Sequence, residues 1–193
     1  MVDLLRAFGA RAAAWADALI DEFGSTAAVL AAAPAALALI LGTGNPAIRH
    51  IGMVRDVMLH VLREEALKAP ILSTSDALID YLFADMAHLP AERLRVLFLN
   101  SGNRLLRDEM VCEGSINEAP IYPREIMRRA LEVGATALIL AHNHPSGDAQ
   151  PSEGDIRATR RVAEAAQALD IHIHDHVIVA RSGWTSFRML GLI

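Results

Sequence analysis

Two histidines one residue apart open the densest chemical stretch of this chain. It runs Ala141-His142-Asn-His144-Pro-Ser-Gly-Asp148-Ala-Gln-Pro-Ser152-Glu-Gly-Asp155. On an extended segment, residues i and i+2 point to the same face, so both imidazoles can reach one ion. A loop of Pro, Ser, Gly and Asp then turns the chain. Asp155 falls in the first turn of the next helix and can add a carboxylate oxygen. Two histidines and one carboxylate leave a fourth position for water, which is the pattern of a catalytic zinc site rather than a closed structural one. Each part alone is ordinary. Strand ends often carry exposed histidines, and Ser152-Glu-Gly-Asp155 is also a capping box. The conjunction of strand, His-x-His, loop and Ser-x-x-Asp is what points to a metal.

The rest of the composition narrows the options. The single cysteine, Cys112, permits no intramolecular disulfide and no thiolate zinc cluster. Any metal must therefore be held by histidines and carboxylates, and Cys112 itself is expected to be a buried strand residue. Of 193 residues, 53% are hydrophobic and 21% charged, enough for a packed core and against extensive disorder. The net charge of −5 argues against a protein that mainly coats nucleic acid. The N-terminus has no basic region followed by an apolar stretch, so no signal peptide is read there. The longest apolar run, Thr26 to Leu41, is interrupted by Pro34 and falls short of the ~20 residues of a membrane span. A soluble cytoplasmic protein is expected.

The elements that must position these side chains follow from periodicity. Leu4, Leu5, Phe8, Ala12, Trp15, Leu19 and Phe23 recur at helical steps, with Gly24 placed as a C-cap and Ser25 as the next N-cap. The Thr26–Leu41 run reads as a small-residue helical core. Gly42-Thr-Gly44-Asn-Pro46 is a turn, and a helix over about Ile48 to Lys68 follows. The composition changes at Ala69-Pro70, which divides an all-α domain over residues 1–69 from an α/β domain over 71–193. In the latter, Ser73-Thr-Ser75-Asp76 should cap a helix ending near Leu89-Pro90. Arg93–Asn100 and Arg104–Gly114 read as a hairpin around Ser101-Gly-Asn103. Pro123 opens a helix to about Val133, stopped by Gly134. Ala137–Ala141 is a strand buried on both faces. A helix from Ser152 to about Leu169 and a strand over His172–Ala180 follow, and Ser186–Leu192 closes the chain.

With these residues in place, a resemblance can be stated. His142-x-His144, seven residues, Ser152, two residues and Asp155 match the JAMM (MPN+, Mov34-type) zinc metalloprotease motif without departure. The surrounding His142-Asn-His-Pro-Ser-Gly-Asp148, Asp175-His176, Gly114-Ser-Ile-Asn and Tyr122-Pro-Arg-Glu125 are similar to the RadC branch of that family. The resemblance covers residues from about 71 to 193 and does not extend to the HNH nucleases. It implies a three-layer α/β/α, cytidine-deaminase-like fold with a mixed sheet, and Zn²⁺ on His142, His144 and Asp155. It also implies a glutamate early in the domain as general base, and Glu92, at the start of the first strand, holds that place. Glu109 and Glu125 are the fallback candidates, although Glu125 also suits the N-terminal dipole of its helix. Ser152 would help stabilise the oxyanion of a hydrolysed amide, with a protein or peptide as substrate. His172, His174 and His176 alternate and should share a face. A second metal there is the minor reading, and Asp175 or His176 is expected to support the zinc ligands from behind.

RadC proteins usually carry a helix-hairpin-helix-like region before this domain, and Leu41-Gly42-Thr-Gly44 resembles its hairpin. On that reading the alternative function is a DNA repair or recombination factor, or a metal-dependent nuclease, binding DNA through the N-terminal helices. Two features weigh against it. Pro46 removes an amide donor, and residues 1–69 hold six basic against seven acidic residues.

Overall fold

The computed structural model describes residues 1–71, 75–114 and 121–193. The chain forms two compact units, Met1–Val61 and Leu62–Ile193.

The first unit is all helical. Helix α1 (Val2–Leu5) runs into a 3-10 turn over Arg6–Arg11, and α2 (Ala12–Phe23) follows. The continuous helix expected from Leu4 to Phe23 is broken at Gly9, whose φ of 68° lies outside any helix. Gly24 ends α2 in the left-handed conformation, as its placement suggested, and the Ser25 hydroxyl accepts the Ala28 N–H to start α3 (Thr26–Ala31). The alanine-rich run is two helices rather than one. Ala32 and Ala33 are extended before Pro34, which occupies the first turn of α4 (Pro34–Leu41). Helix α5 (Pro46–Leu67) begins after the Gly42–Asn45 turn. Leu5, Leu19, Val29, Leu37 and Ile51 form the buried centre of this unit.

The division between units falls inside α5. Its last turns carry Ala66, which is buried, and Leu62 and Leu67, which pack against the core of the second unit. The composition break near residue 70 therefore lies within the second unit rather than at its edge. The reason is physical: a helix can cross a unit boundary without any change in its own periodicity.

The second unit has a five-stranded sheet in the order β2-β1-β3-β4-β5. The strands are β1 (Arg93–Leu99), β2 (Leu105–Glu113), β3 (Ala137–Asn143), β4 (His172–Ala180) and β5 (Gly183–Ser186). All neighbours are antiparallel except β3 and β4. Helix α6 (Ser75–Met86) precedes β1. Helix α7 (Pro123–Val133) precedes β3, and α8 (Glu153–Gln167) is the crossover that joins the parallel pair.

Alternation sorts the sheet residues into two cores. Leu97, Leu99, Ile139, Ala141, Val177 and Val179 pack on one side with Leu78, Leu82 and Met86 of α6. Leu94, Val96, Phe98, Leu138 and Leu140 pack on the other with Ile126 and Ala130 of α7 and Val162 of α8. The result is an α/β/α sandwich with a mixed sheet. Every residue of β3 is buried, as expected of a central strand covered on both faces.

The capping cluster expected at Ser73–Ser75 falls mainly on residues 72–74, outside the described residues, and so do residues 115–117 of Gly114-Ser-Ile-Asn. Helix α6 ends at Met86, a little before the expected Leu89. Strand β5 was not expected. It is four residues long and carries a glycine and a half-exposed Trp184, too short for alternation to reveal. Cys112 lies on β2 and is only partly buried, because β2 is an edge strand. No helix among the described residues is long and apolar enough to cross a membrane.

Candidate metal centre

Strand β3 runs two residues further than the apolar pattern, so His142 lies within it and His144 just beyond. The strand end is held by the sheet: the His144 N–H donates to the Val179 carbonyl of β4 at 3.0 Å. Ser152 then caps α8. Its hydroxyl accepts the Asp155 N–H at 3.1 Å, and the Asp155 carboxylate accepts the Ser152 N–H at 2.7 Å. This reciprocal capping box fixes the Asp155 carboxylate at the helix N-terminus, where the dipole favours negative charge.

These elements bring His142, His144 and Asp155 together. The two Nε2 atoms are 2.9 Å apart, and they lie 3.3 and 3.4 Å from the two Asp155 oxygens. Ligands at zinc bond lengths in a tetrahedron would be separated by about 3.3 Å. Among the described residues, this is the group of His, Cys and acidic side chains whose ligand atoms converge closely enough to hold an ion.

The hydrogen bonds behind the imidazoles decide where their protons sit. His144 Nδ1 faces the Asp148 carbonyl at 2.8 Å, and a carbonyl only accepts, so Nδ1 carries the hydrogen. The Thr159 hydroxyl donates to the Asp155 carbonyl at 2.6 Å and so must accept from His176 Nδ1, also at 2.6 Å. His176 is fully buried, and burial, with His142 beside it, pushes its pKa well below the ordinary value and keeps it neutral. Its Nε2 is therefore an acceptor, and His142 Nδ1 donates to it across 2.8 Å. Both ligand histidines thus turn an unprotonated Nε2 inward. Two lone pairs and a carboxylate facing one another within 3.4 Å call for a cation between them.

The electrostatics favour positive charge at the same place, carried by an ion or by a proton between His144 and Asp155. The hydrogen bond to Asp155 holds the His144 pKa up despite burial, and the charges of Asp155 and Glu92 add to this. Burial raises the Asp155 carboxyl, but its bonds to His142 and His144 outweigh that and bring it far below the carboxylate range.

Glu92 is buried and directly precedes β1. Leu94 pairs with His142 at the end of the β1–β3 ladder, and Glu92 lies two residues beyond Leu94 at that end. Its charge is felt at His144 and, after burial, raises the Cys112 thiol as well. The other two glutamates are engaged elsewhere. Glu109 binds Arg129 at 2.5 and 2.8 Å, and Glu125 binds Arg128 at 3.1 Å.

The histidines of β4 do not share a face. A register shift between Leu138 and Ile139 inserts His174 as an extra residue. His174 bonds Asn103, while His176 reaches His142 and stacks on Phe187. Asp175 accepts from its neighbour's N–H, from the Ser186 hydroxyl and from the Arg188 N–H, which ties the chain end to β4. Thr159 escaped the sequence reading. Its signal was its position one helical turn after Asp155, on the same face of α8.

Comparison with known proteins now adds to this geometry. Residues 72–192 match the family model described as a RadC-like JAB domain, a metal-dependent family. A UPF0758 protein of Rhodobacter capsulatus is 44% identical over 175 residues, which is 91% of this chain and 82% of that protein. With the domain matched almost end to end and its sheet, crossover helix and ligand cluster in place, the chain belongs to the RadC-like JAB domain family.

Proposed function

We propose that this protein is a zinc-dependent peptidase or isopeptidase that hydrolyses an amide bond with water and without a covalent intermediate. The observation that carries this reading is the convergence of two inward Nε2 atoms and the Asp155 carboxylate, with the buried Glu92 near enough for its charge to act on His144. His142, His144 and Asp155 would hold the ion, which when bound supplies Lewis acidity that makes a water acidic and polarises the amide carbonyl. Glu92 takes a proton from the attacking water and returns it to the leaving amine. The Ser152 hydroxyl, held beside the Asp155 carboxylate at the start of α8, would turn its hydrogen from that carboxylate to the developing oxyanion. Ser152 does not serve as nucleophile, because the one carboxylate its contacts include, Asp155, is the one that would hold the ion.

The test is a zinc analysis paired with a digest of a peptide mixture. Wild type should hold about one zinc and cleave, and a chelator should abolish cleavage. Glu92→Gln should keep the zinc and lose about 10²–10⁴-fold in rate. His144→Ala should lose the zinc. Full cleavage by Glu92→Gln, or a wild type without zinc, overturns the proposal.

The alternative DNA-binding function would have to use amides other than those of Asn45, Ala47 and Ile48. Asn45 N–H donates to the Gly42 carbonyl, Ala47 N–H to Asn45 Oδ1 and Ile48 N–H to the Asn45 carbonyl. These amides are satisfied by the chain itself, whereas phosphate capture needs them turned outward.

A further inference from the structure

The middle residue of the His-Asn-His stretch belongs neither to the ligand set nor to the proton chain behind it. Asn143 is fully buried, and alternation puts it on the opposite sheet face from His142. Its side-chain amide makes two hydrogen bonds to one short segment. Nδ2 donates to the Ala91 carbonyl at 3.1 Å, and Oδ1 accepts the Arg93 N–H at 2.9 Å. These two groups flank Glu92.

The sheet explains why a side chain does this work. The ladder between β1 and β3 ends at Leu94–His142, while β3 stays with β4 for one residue more, at Asn143–Val179. The two antiparallel strands therefore part beside the metal centre. A carboxamide carries the same donor and acceptor as a peptide group, so Asn143 continues the ladder where the backbone leaves it. From the other side, the Gly114 N–H donates to the Glu92 carbonyl at 2.9 Å. Both peptide planes next to the Glu92 Cα are thereby held, which fixes its φ and ψ.

We propose that Asn143 is a positioning residue that clamps the backbone around Glu92 and so aims the carboxylate at the metal centre. The inference rests on reading Glu92 as the base. The chemistry is specific to asparagine. An aspartate would set a second oxygen against the Ala91 carbonyl, and an alanine would leave the Arg93 N–H and the Ala91 carbonyl without a buried partner.

Two measurements on the full chain test the clamp. The first is amide hydrogen exchange by NMR, with and without zinc. Asn143→Ala and Asn143→Asp should both unfold cooperatively. Arg93 exchange should speed up by about tenfold in Asn143→Ala, while the β3–β4 amides keep their protection. Asn143→Ser, which retains one of the two bonds, serves if the alanine variant does not fold. The second is the visible spectrum of the cobalt-substituted protein as a function of pH. Asn143→Ala should shift this profile in the wild-type background and leave it unmoved in Glu92→Gln, because the clamp acts only through Glu92. Cobalt stoichiometry should not change. Unaltered Arg93 exchange, or an equal spectral shift in both backgrounds, overturns the proposal. A wild type that takes up no cobalt overturns the metal reading instead, and Arg93 exchange still decides the clamp.

Discussion

Each histidine of the candidate metal centre is aimed by the partner of its outer nitrogen. Asp148 serves His144 through a backbone carbonyl, and His176 and Thr159 serve His142 through a chain that returns to the Asp155 carbonyl. Thr159→Val breaks that chain while keeping the shape. It leaves the His176 Nδ1–H buried without an acceptor, at about 1–3 kcal/mol of stability. Zinc affinity should fall about 10–100-fold, measured by competition with a chromophoric chelator. Unchanged affinity would remove Thr159 from the site. The metal-free protein should also lose stability in acid. The His176 pKa lies well below its ordinary 6.5, so below that value the unfolded chain takes up a proton that the folded chain refuses. Stability therefore falls as pH drops from 6.5. His144 has the opposite sign. Its raised pKa adds stability that is complete below 6.5 and is lost as pH rises through the folded value. Denaturant titrations at several pH values should show the acid arm flatten in His176→Asn.

At the scale of elements, the site is the junction of β3, the loop to Ser152 and the first turn of α8. The loop is tied to the turn between β4 and β5. Arg181 donates to the Ser146 carbonyl and the Ser182 N–H to the Gly147 carbonyl. Gly147 has a φ of +95°, and a Cβ there would meet the Arg181 guanidinium at 3.1 Å. Gly147→Ala is therefore strained in its backbone and displaces the arginine, at about 1–2 kcal/mol. Because Asp148 is the next residue, its carbonyl should move off His144. Zinc should dissociate faster while far-UV circular dichroism stays unchanged. Wild-type zinc release would show that the loop does not brace His144. This junction was largely legible in the sequence, because capping and turn chemistry are local: Ser152, Asp155, Gly134 and Gly24 all do what their positions suggested. Strand β5 and the irregularity at His174 were not legible, since both arise from how β4 meets its neighbours.

In the whole molecule, α5 serves two cores. A chain beginning at Ile71 would lack Leu62, Ala66 and Leu67, and would also lose the Arg63 guanidinium 3.6 Å from the buried Asp108 carboxylate. It should be less stable than a chain beginning at residue 54 by about 3 kcal/mol, from the apolar surface uncovered, yet still bind zinc. Equal melting temperatures for the two fragments would place the working boundary at residue 70. Another long-range tie lies on the same side of the sheet. Arg95 of β1 bridges Asp85 of α6 and Asp108 of β2 at 2.6 and 2.7 Å, and Tyr81 donates to Asp108. Tyr81 and Asp85 lie one turn apart on α6, but Arg95 and Asp108 come from two separate strands, and no spacing rule reveals such a cluster.

The sequence by itself determined the candidate ligand residues, their order and the local devices that present them, because a period of two, a capping box and a glycine turn act within a few residues. It also determined the two-face burial of β3, which follows from an unbroken apolar run. Only the tertiary structure decided that His142 and His144 turn their inward nitrogens to Asp155, that His176 rather than Asp175 stands behind His142, and that Asn143 reaches across to the backbone on either side of Glu92. Those contacts join residues 11 to 52 positions apart, from Asp155 and His144 at one end to Asn143 and Ala91 at the other, and are set by strand order and register. Register is a property of paired strands, and no single strand carries it.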